Sequence, residues 1–304
     1  MHLSVNQIKK QYADVLAVDE LSFEVESGEI FAVLGPNGAG KSSTIRMLIG
    51  LTFPDSGAIQ YTDNNNQTVK LSSELFGYLP EERGLYQESN ILDTLVYMGQ
   101  LKGMSKSDAI EQAETWLTSF DLIERKKDPL KSLSKGNQQK VQLVSAIIHQ
   151  PKIVFLDEPF SGLDPINQEK VIQFLLKLKE QGTTIILSAH QMSLVEKLAD
   201  RFLLMNKGKA AFYGDMQEIR QSTQLGSHLV ITFTQSTTPE LFPLNEQILA
   251  ATAIDDSTIK LSLSPSCKVP QLLQSLLAEH QIEGLQIQQP SLHDIYVHNV
   301  QGAA

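Results

Sequence analysis

The chain has 304 residues, 41% hydrophobic and 20% charged, a balance that suits a folded globular protein and excludes disordered and fibrous classes. Its 35 acidic against 25 basic residues give a formal net charge of -10, which repels phosphate backbones over most of the surface and argues against nucleic acid as the primary partner. The single cysteine, Cys267, excludes an internal disulfide and suits a reducing compartment; no apolar run approaches the roughly 20 residues that span a bilayer, nor does MHLSVNQIKKQY hold a signal-peptide core, so any membrane role is expected to come through a partner.

In chain order, Ala13 to Glu26 alternates apolar and polar residues and turns at Ser27-Gly28 into the apolar run Ile30 to Leu34, which predicts strands feeding a buried strand. A glycine-rich turn follows, and then KSSTIRMLIG, which places Ile45, Leu48 and Ile49 on one helical face. Asn90 to Leu122 reads as amphipathic helices broken near Gly103-Met104, carrying the only tryptophan, Trp116. The remainder of the first part alternates: helix 137–149, strand 153–156, helix 167–181, strand 184–188, helix 192–200. That order predicts a mainly parallel sheet covered by helices on both faces.

The texture changes after about Arg220, where Gln, Ser and Thr are enriched, and Pro239 and Pro243 follow. A domain boundary is placed there. The rest predicts strands over 229–234, 248–253, 259–263 and 285–288, a helix over 269–280 and a short helix from Ser291, together a small α+β domain over 225–304.

Gly35-Pro36-Asn37-Gly38-Ala39-Gly40-Lys41-Ser42 matches the phosphate-loop pattern and lies between a buried strand and a helix, where such a loop must lie. Backbone N–H groups converge on phosphate oxygens only where the chain can come close, and Gly38 and Gly40 permit that approach. Lys41 is a point charge for the β and γ phosphates. Ser42 offers a hydroxyl to Mg²⁺, and the helix N-terminus adds a favourable dipole.

Ile153-Val-Phe-Leu-Asp157-Glu158 is a buried strand ending in two carboxylates, Asp157 suited to Mg²⁺ and Glu158 to orienting or deprotonating a water. By itself an Asp-Glu pair at a strand end is more often a solvated turn; here Pro159 and the loop Ser161-Gly-Leu-Asp164-Pro follow it. Ahead of it, Leu133-Ser134-Lys135-Gly136-Asn137 opens a helix that Ser134 is placed to cap, with Gly136 keeping the first turn open.

The order of these motifs resembles the nucleotide-binding domain of ATP-binding cassette (ABC) proteins over about residues 1–220. The resemblance implies a P-loop NTPase α/β fold with an antiparallel β subdomain and a helical subdomain over about 88–135. ATP is then held by residues 35–43, that is by Gly35, Pro36, Asn37, Gly38, Ala39, Gly40, Lys41, Ser42 and Ser43. Tyr12 is implied as the ring that stacks on adenine, although a tyrosine there serves equally to pack a strand. His190 is implied as the switch histidine at the γ-phosphate, completing a catalytic set with Glu158 and Lys41. Ser42, Asp157 and Glu81 are implied at Mg²⁺. Ser134 and Gly136 of one subunit are implied to cover the ATP of a second, with Asp164 linking the two sites.

Two departures stand out. Lys135 and Asn137 replace the family's usual Gly and Gln, and Glu81 stands where the family has a glutamine. A carboxylate is a harder ligand than an amide but adds negative charge beside a triphosphate. GYLPEERGLY, LSKGN and the C-terminal Pro290-Ser-Leu-His-Asp-Ile-Tyr296 together resemble ATP-binding subunits of bacterial ABC-2-type exporters. That resemblance implies transmembrane permease subunits and a second cassette as partners, no nucleic acid, and a location at the cytoplasmic face of the membrane. The PSLHDIY segment also reads as simple core packing, with Leu292, Ile295 and Val297 turned inward. A non-transport ABC protein acting on nucleic acid and a regulator that binds ATP without hydrolysis are the alternative readings, set against the acidic charge, the single cassette and the presence of Lys41, Glu158 and His190.

Overall fold

The computed structural model describes residues 1–82, 84–223 and 225–301; Arg83 of GYLPEERGLY and the last three residues of the expected C-terminal domain lie outside them. The chain divides into two compact units, Met1–Asp215 and Met216–Ala304. The division falls ahead of Arg220, where the composition changes.

In the first unit β1 (His2–Tyr12) and β2 (Val15–Val25) form an antiparallel hairpin, followed by β3 (Ile30–Leu34), α1 (Lys41–Leu48), β4 (Ser56–Thr62), β5 (Thr68–Val69) and β6 (Phe76–Leu79). β1 is not legible in the sequence, because its apolar positions Leu3, Val5 and Ile8 lose strict alternation at a bulge between Val5 and Ile8. Two helices follow, α2 (Ile91–Leu101) and α3 (Lys106–Ser119), capped by the side chains of Asn90 and Ser105 and broken at Gly103 as expected. Trp116 of α3 packs edge-on against Phe174, ring centroids 5.0 Å apart, which fixes this helical part on the core.

Then come α4 (Lys135–Ile147), β7 (Ile153–Asp157), α5 (Pro165–Glu180), β8 (Thr184–Ala189), α6 (Met192–Val195), β9 (Arg201–Asn206) and β10 (Lys209–Gly214). The expected helix 192–200 is only one turn long; Leu198 is buried but the chain already turns towards β9. The sheets of this unit run β2-β1-β4-β5 and β10-β9-β3-β8-β7-β6. In the larger sheet β9, β3, β8, β7 and β6 are parallel and only β10 is antiparallel. Every residue of β3, β7 and β8 is buried, as continuous apolar strands in a covered parallel sheet must be. The C-terminal ends of β3, β6, β7 and β8 therefore open on one edge of the sheet, the edge where ligands of such folds bind.

The second unit begins with α7 (Met216–Ser222) and holds β11 (His228–Phe233), β12 (Ile248–Ala253), β13 (Thr258–Leu263), α8 (Val269–Glu279), β14 (Ile282–Gln288) and α9 (Leu292–Gln301). Its antiparallel sheet has the order β12-β13-β11-β14. The core gathers Leu229, Ile231, Phe233, Ile259, Leu261 and Leu276. Leu292 and Ile295 of α9 are fully buried as expected, but Val297 is only half-buried, because at two residues beyond Ile295 it lies off the buried helical face.

No helix among the described residues is long and apolar enough to cross a membrane.

Candidate functional site

The loop from Gly35 to Gly40 leaves the end of β3 and enters α1. Gly35, Gly38 and Gly40 all have positive φ, at 148°, 79° and 103°. They are glycine for different reasons. A Cβ on Gly40 would stand 2.3 Å from the Ala17 carbonyl oxygen, and one on Gly35 2.3 Å from that of Met205, so both are forced by the protein's own backbone. A Cβ on Gly38 meets nothing within 4 Å, and Gly38 is left facing open space.

Lys41 is buried, and its Nζ donates to the carbonyls of Gly35 at 2.9 Å and Pro36 at 3.1 Å. Burial lowers its pKa against the charges of Glu158, Asp157 and Glu81, which act to raise it. Ser42 Oγ lies 3.5 Å from Asp157 Oδ1 at the end of β7.

Ser188, the residue before the end of β8, joins the two carboxylate residues. Its hydroxyl donates to Asp157 Oδ1 at 2.5 Å and accepts the backbone N–H of Glu158 at 3.1 Å. Glu158 has φ 55°, a left-handed conformation costly for a residue with a side chain and maintained by its surroundings. Among those surroundings is Gln139 of α4, buried at 4% exposure, whose Nε2 lies 3.4 Å from the Glu158 carbonyl and 3.5 Å from that of Pro159.

His190, just past β8, places Nε2 3.0 Å from Glu158 Oε1. The contact is close but not aligned as a hydrogen bond, since Glu158 Oε1 is buried with no hydrogen-bond partner among the described residues. Burial pushes the Glu158 pKa up to about 7, opposed by Lys41 and the His190 backbone N–H and assisted by Asp157 and Glu81. Burial, then Lys41, lowers that of His190. Glu81 follows β6, and the carbonyls on either side of it accept hydrogen bonds from Gln142 Nε2, at 3.4 Å from Pro80 and 3.1 Å from Glu82.

The result is a cleft of about 270 Å³. Asn37, Gly38, Lys41 and Ser42 line it from the loop and α1; Glu81, Asp157, Glu158 and His190 line it from three strand ends. Gly35, Pro36, Ala39, Gly40 and Ser43 shape the same loop and first helical turn without lining the cleft. The structure does not bring Tyr12, Ser134, Gly136 or Asp164 to it. Tyr12 is 40% exposed at the end of β1, with Lys10 Nζ 5.5 Å from its ring centroid. Ser134 and Asp164 are exposed caps, accepting N–H bonds from Asn137 at 3.3 Å and Asn167 at 2.9 Å. Gly136 packs near the Gly162 carbonyl.

Sequence reasoning missed Ser188, Gln139 and Gln142. The signal for the last two was weak, since they stand three apart in a polar first half of α4, and only their burial shows that the amides must be bonded.

The chemistry of the cleft suits a polyphosphate with a divalent cation. Lys41 and helix α1 meet anionic oxygens, and the Ser42 hydroxyl beside the Asp157 carboxylate makes an oxygen-only donor pair of the kind Mg²⁺ takes. Three carboxylates against one lysine leave room for added positive charge, and the unpartnered Glu158 oxygen is free to accept a proton from water.

Residues 18–161 match the ABC transporter family, and residues 214–300 match the C-terminal domain of DrrA1-3-like ATP-binding proteins. The chain is 36% identical over 303 residues to the uncharacterized ABC transporter ATP-binding protein YhaQ of Bacillus subtilis, covering 98% of each. It is 31% identical over 305 residues to the linearmycin resistance ATP-binding protein LnrL of the same organism, covering 97% of each. Among solved structures it resembles the ATP-binding subunit of an ABC transporter at 31% identity and TM-score 0.66, over 73% of this chain and 92% of that one. It shares the fold of a dimeric bacterial ABC transporter cassette at 22% identity and TM-score 0.64, over 70% of this chain and 98% of that one.

Proposed function

This chain belongs to the ATP-binding proteins of ABC transporters, and from that membership we propose that it hydrolyses ATP as one half of a paired cassette that drives a separate, exporter-type permease. The observation that carries the reading is the cleft itself, in which Lys41, Ser42, Glu81, Asp157, Glu158 and His190 face one space from four segments of chain.

In this reading residues 35–42 hold the triphosphate through backbone N–H groups, and Lys41 exchanges its carbonyl partners for phosphate oxygens. Mg²⁺, held by Ser42 and Asp157 with Glu81 near, would neutralise charge on the β and γ phosphates. Glu158, its Oε1 buried without a hydrogen-bond partner among the described residues, accepts a proton from the attacking water, and His190 beside it orients the γ-phosphate. Catalysis is then a matter of positioning and charge rather than covalent chemistry.

Tyr12 stacks on adenine. Ser134, Gly136 and Asp164 lie outside the cleft, and that separation supports a second subunit: the helix start at Ser134 is exposed and capped, suited to meet the phosphate bound by another copy. A dimeric cassette among the structural neighbours supports the same arrangement.

The permease is proposed to dock on the helical part next to Glu81, where Tyr86, Tyr97 and Leu101 are 63%, 49% and 59% exposed and Tyr86 and Tyr97 line an open groove. The DrrA-like C-terminal match and the resistance protein LnrL support export as the direction.

Glu158→Gln tests the shared-site model. With ATP and Mg²⁺ the variant is expected to elute from size-exclusion chromatography as a dimer and without nucleotide as a monomer; a monomer under both conditions would overturn the pairing.

A further inference from the structure

The segment carrying Glu81 is held from behind by one side chain of α4. Gln142 is 4% exposed, and its amide nitrogen donates to the carbonyl of Glu82 at 3.1 Å and, more weakly, to that of Pro80 at 3.4 Å. The two acceptors flank Glu81, so a single amide fixes the peptide on both sides of the residue whose carboxylate faces the cleft. Core packing alone does not ask for glutamine here. Val141, Leu143 and Val144 around it are all buried and apolar, and a buried amide is costly unless its bonds are made.

One turn earlier on the same helical face, Gln139 holds the carbonyls of Glu158 and Pro159. Helix α4 thus grips two cleft segments that are far apart in sequence.

We propose that Gln142 is a positioning residue for Glu81, its amide setting the backbone that aims the Glu81 carboxylate at the site of the metal and nucleotide. The proposal rests on the reading of Glu81 as a group near Mg²⁺. Gln142 touches neither ligand and acts only through the loop.

The test uses the full chain with Glu158→Gln as a common background, so that no turnover occurs, and follows binding of a fluorescent ATP analogue during titration with Mg²⁺. Gln142→Met keeps the length of the side chain and removes the donor; Gln142→Asn, too short to reach both carbonyls, is the second variant should the first fail to fold.

Loss of one neutral hydrogen bond is expected to raise the half-saturating Mg²⁺ concentration about fivefold, while analogue binding in EDTA and the thermal midpoint stay at the background values. Glu81→Ala is expected to raise the Mg²⁺ requirement as well, and adding Gln142→Met to it is expected to give no further rise. An unchanged requirement in Gln142→Met, or full additivity with Glu81→Ala, would overturn the proposal. If Glu81→Ala itself left the requirement unchanged, the premise about Glu81 would fall first, and the single variants tell the two failures apart.

Discussion

His190 Nε2 stands 3.0 Å from Glu158 Oε1, and burial acts against charge on both groups. The contact therefore pairs a base held towards its neutral form with an acid whose pKa is up at about 7. A carboxyl that titrates near neutrality fits the general-base role proposed for Glu158, and holding it there has a cost that can be measured on the folded protein.

That cost gives the first prediction. The Glu158 carboxyl has an ordinary pKa of 4.5 and a folded value of about 7, so its ionisation opposes folding. The penalty is absent below the unfolded pKa, grows as pH rises between the two values and is complete above the folded one, where it is about 3 kcal/mol. Glu158→Gln is expected to raise the thermal midpoint by several degrees at pH 8 and to leave it unchanged near pH 4.5. Equal midpoints at both pH values would contradict the buried-carboxylate account.

Lys41→Ala removes the cation from the loop. Charge-assisted hydrogen bonds contribute about 1.5–3 kcal/mol, so ATP affinity is expected to fall roughly 10- to 100-fold. Isothermal titration of nucleotide into the purified chain measures this, and an unaltered dissociation constant would remove Lys41 from the phosphate site.

Gly40→Ala and Gly38→Ala should separate folding from binding. At Gly40 the new Cβ meets the Ala17 carbonyl at 2.3 Å, whereas at Gly38 it meets nothing within 4 Å. Both pay for a left-handed backbone, about 1–2 kcal/mol. Gly40→Ala is expected to lower the thermal midpoint further, and Gly38→Ala to weaken ATP binding out of proportion to its stability loss because its methyl group faces the cleft. The reverse ranking in calorimetry and nucleotide titration would show that the two glycines have been assigned the wrong roles.

Much of the site was legible because it is local. Residues 35–42 form one turn between β3 and α1, and Asp157-Glu158 end one apolar strand, so composition and spacing within a few residues fix where these groups must stand. The same holds for the helix break at Gly103 and for the cap Ser134. The helix over 192–200 was over-extended because its buried residues follow a helical spacing that the turn into β9 cuts short.

The sequence alone determined that a phosphate-loop pattern, a capped glycine-containing helix and a carboxylate-ended strand follow one another in the order of an ABC cassette, since each is written in contiguous residues. Only the tertiary structure decided how they are held. Ser188 reaches Asp157 across 31 residues and Gln142 reaches Glu82 across 60. Gly40 is glycine because Ala17, on another strand, comes too close for a side chain. Such contacts arise when parallel strands and the helix behind them bring distant segments to one edge of the sheet, and no local pattern records which residues will meet there.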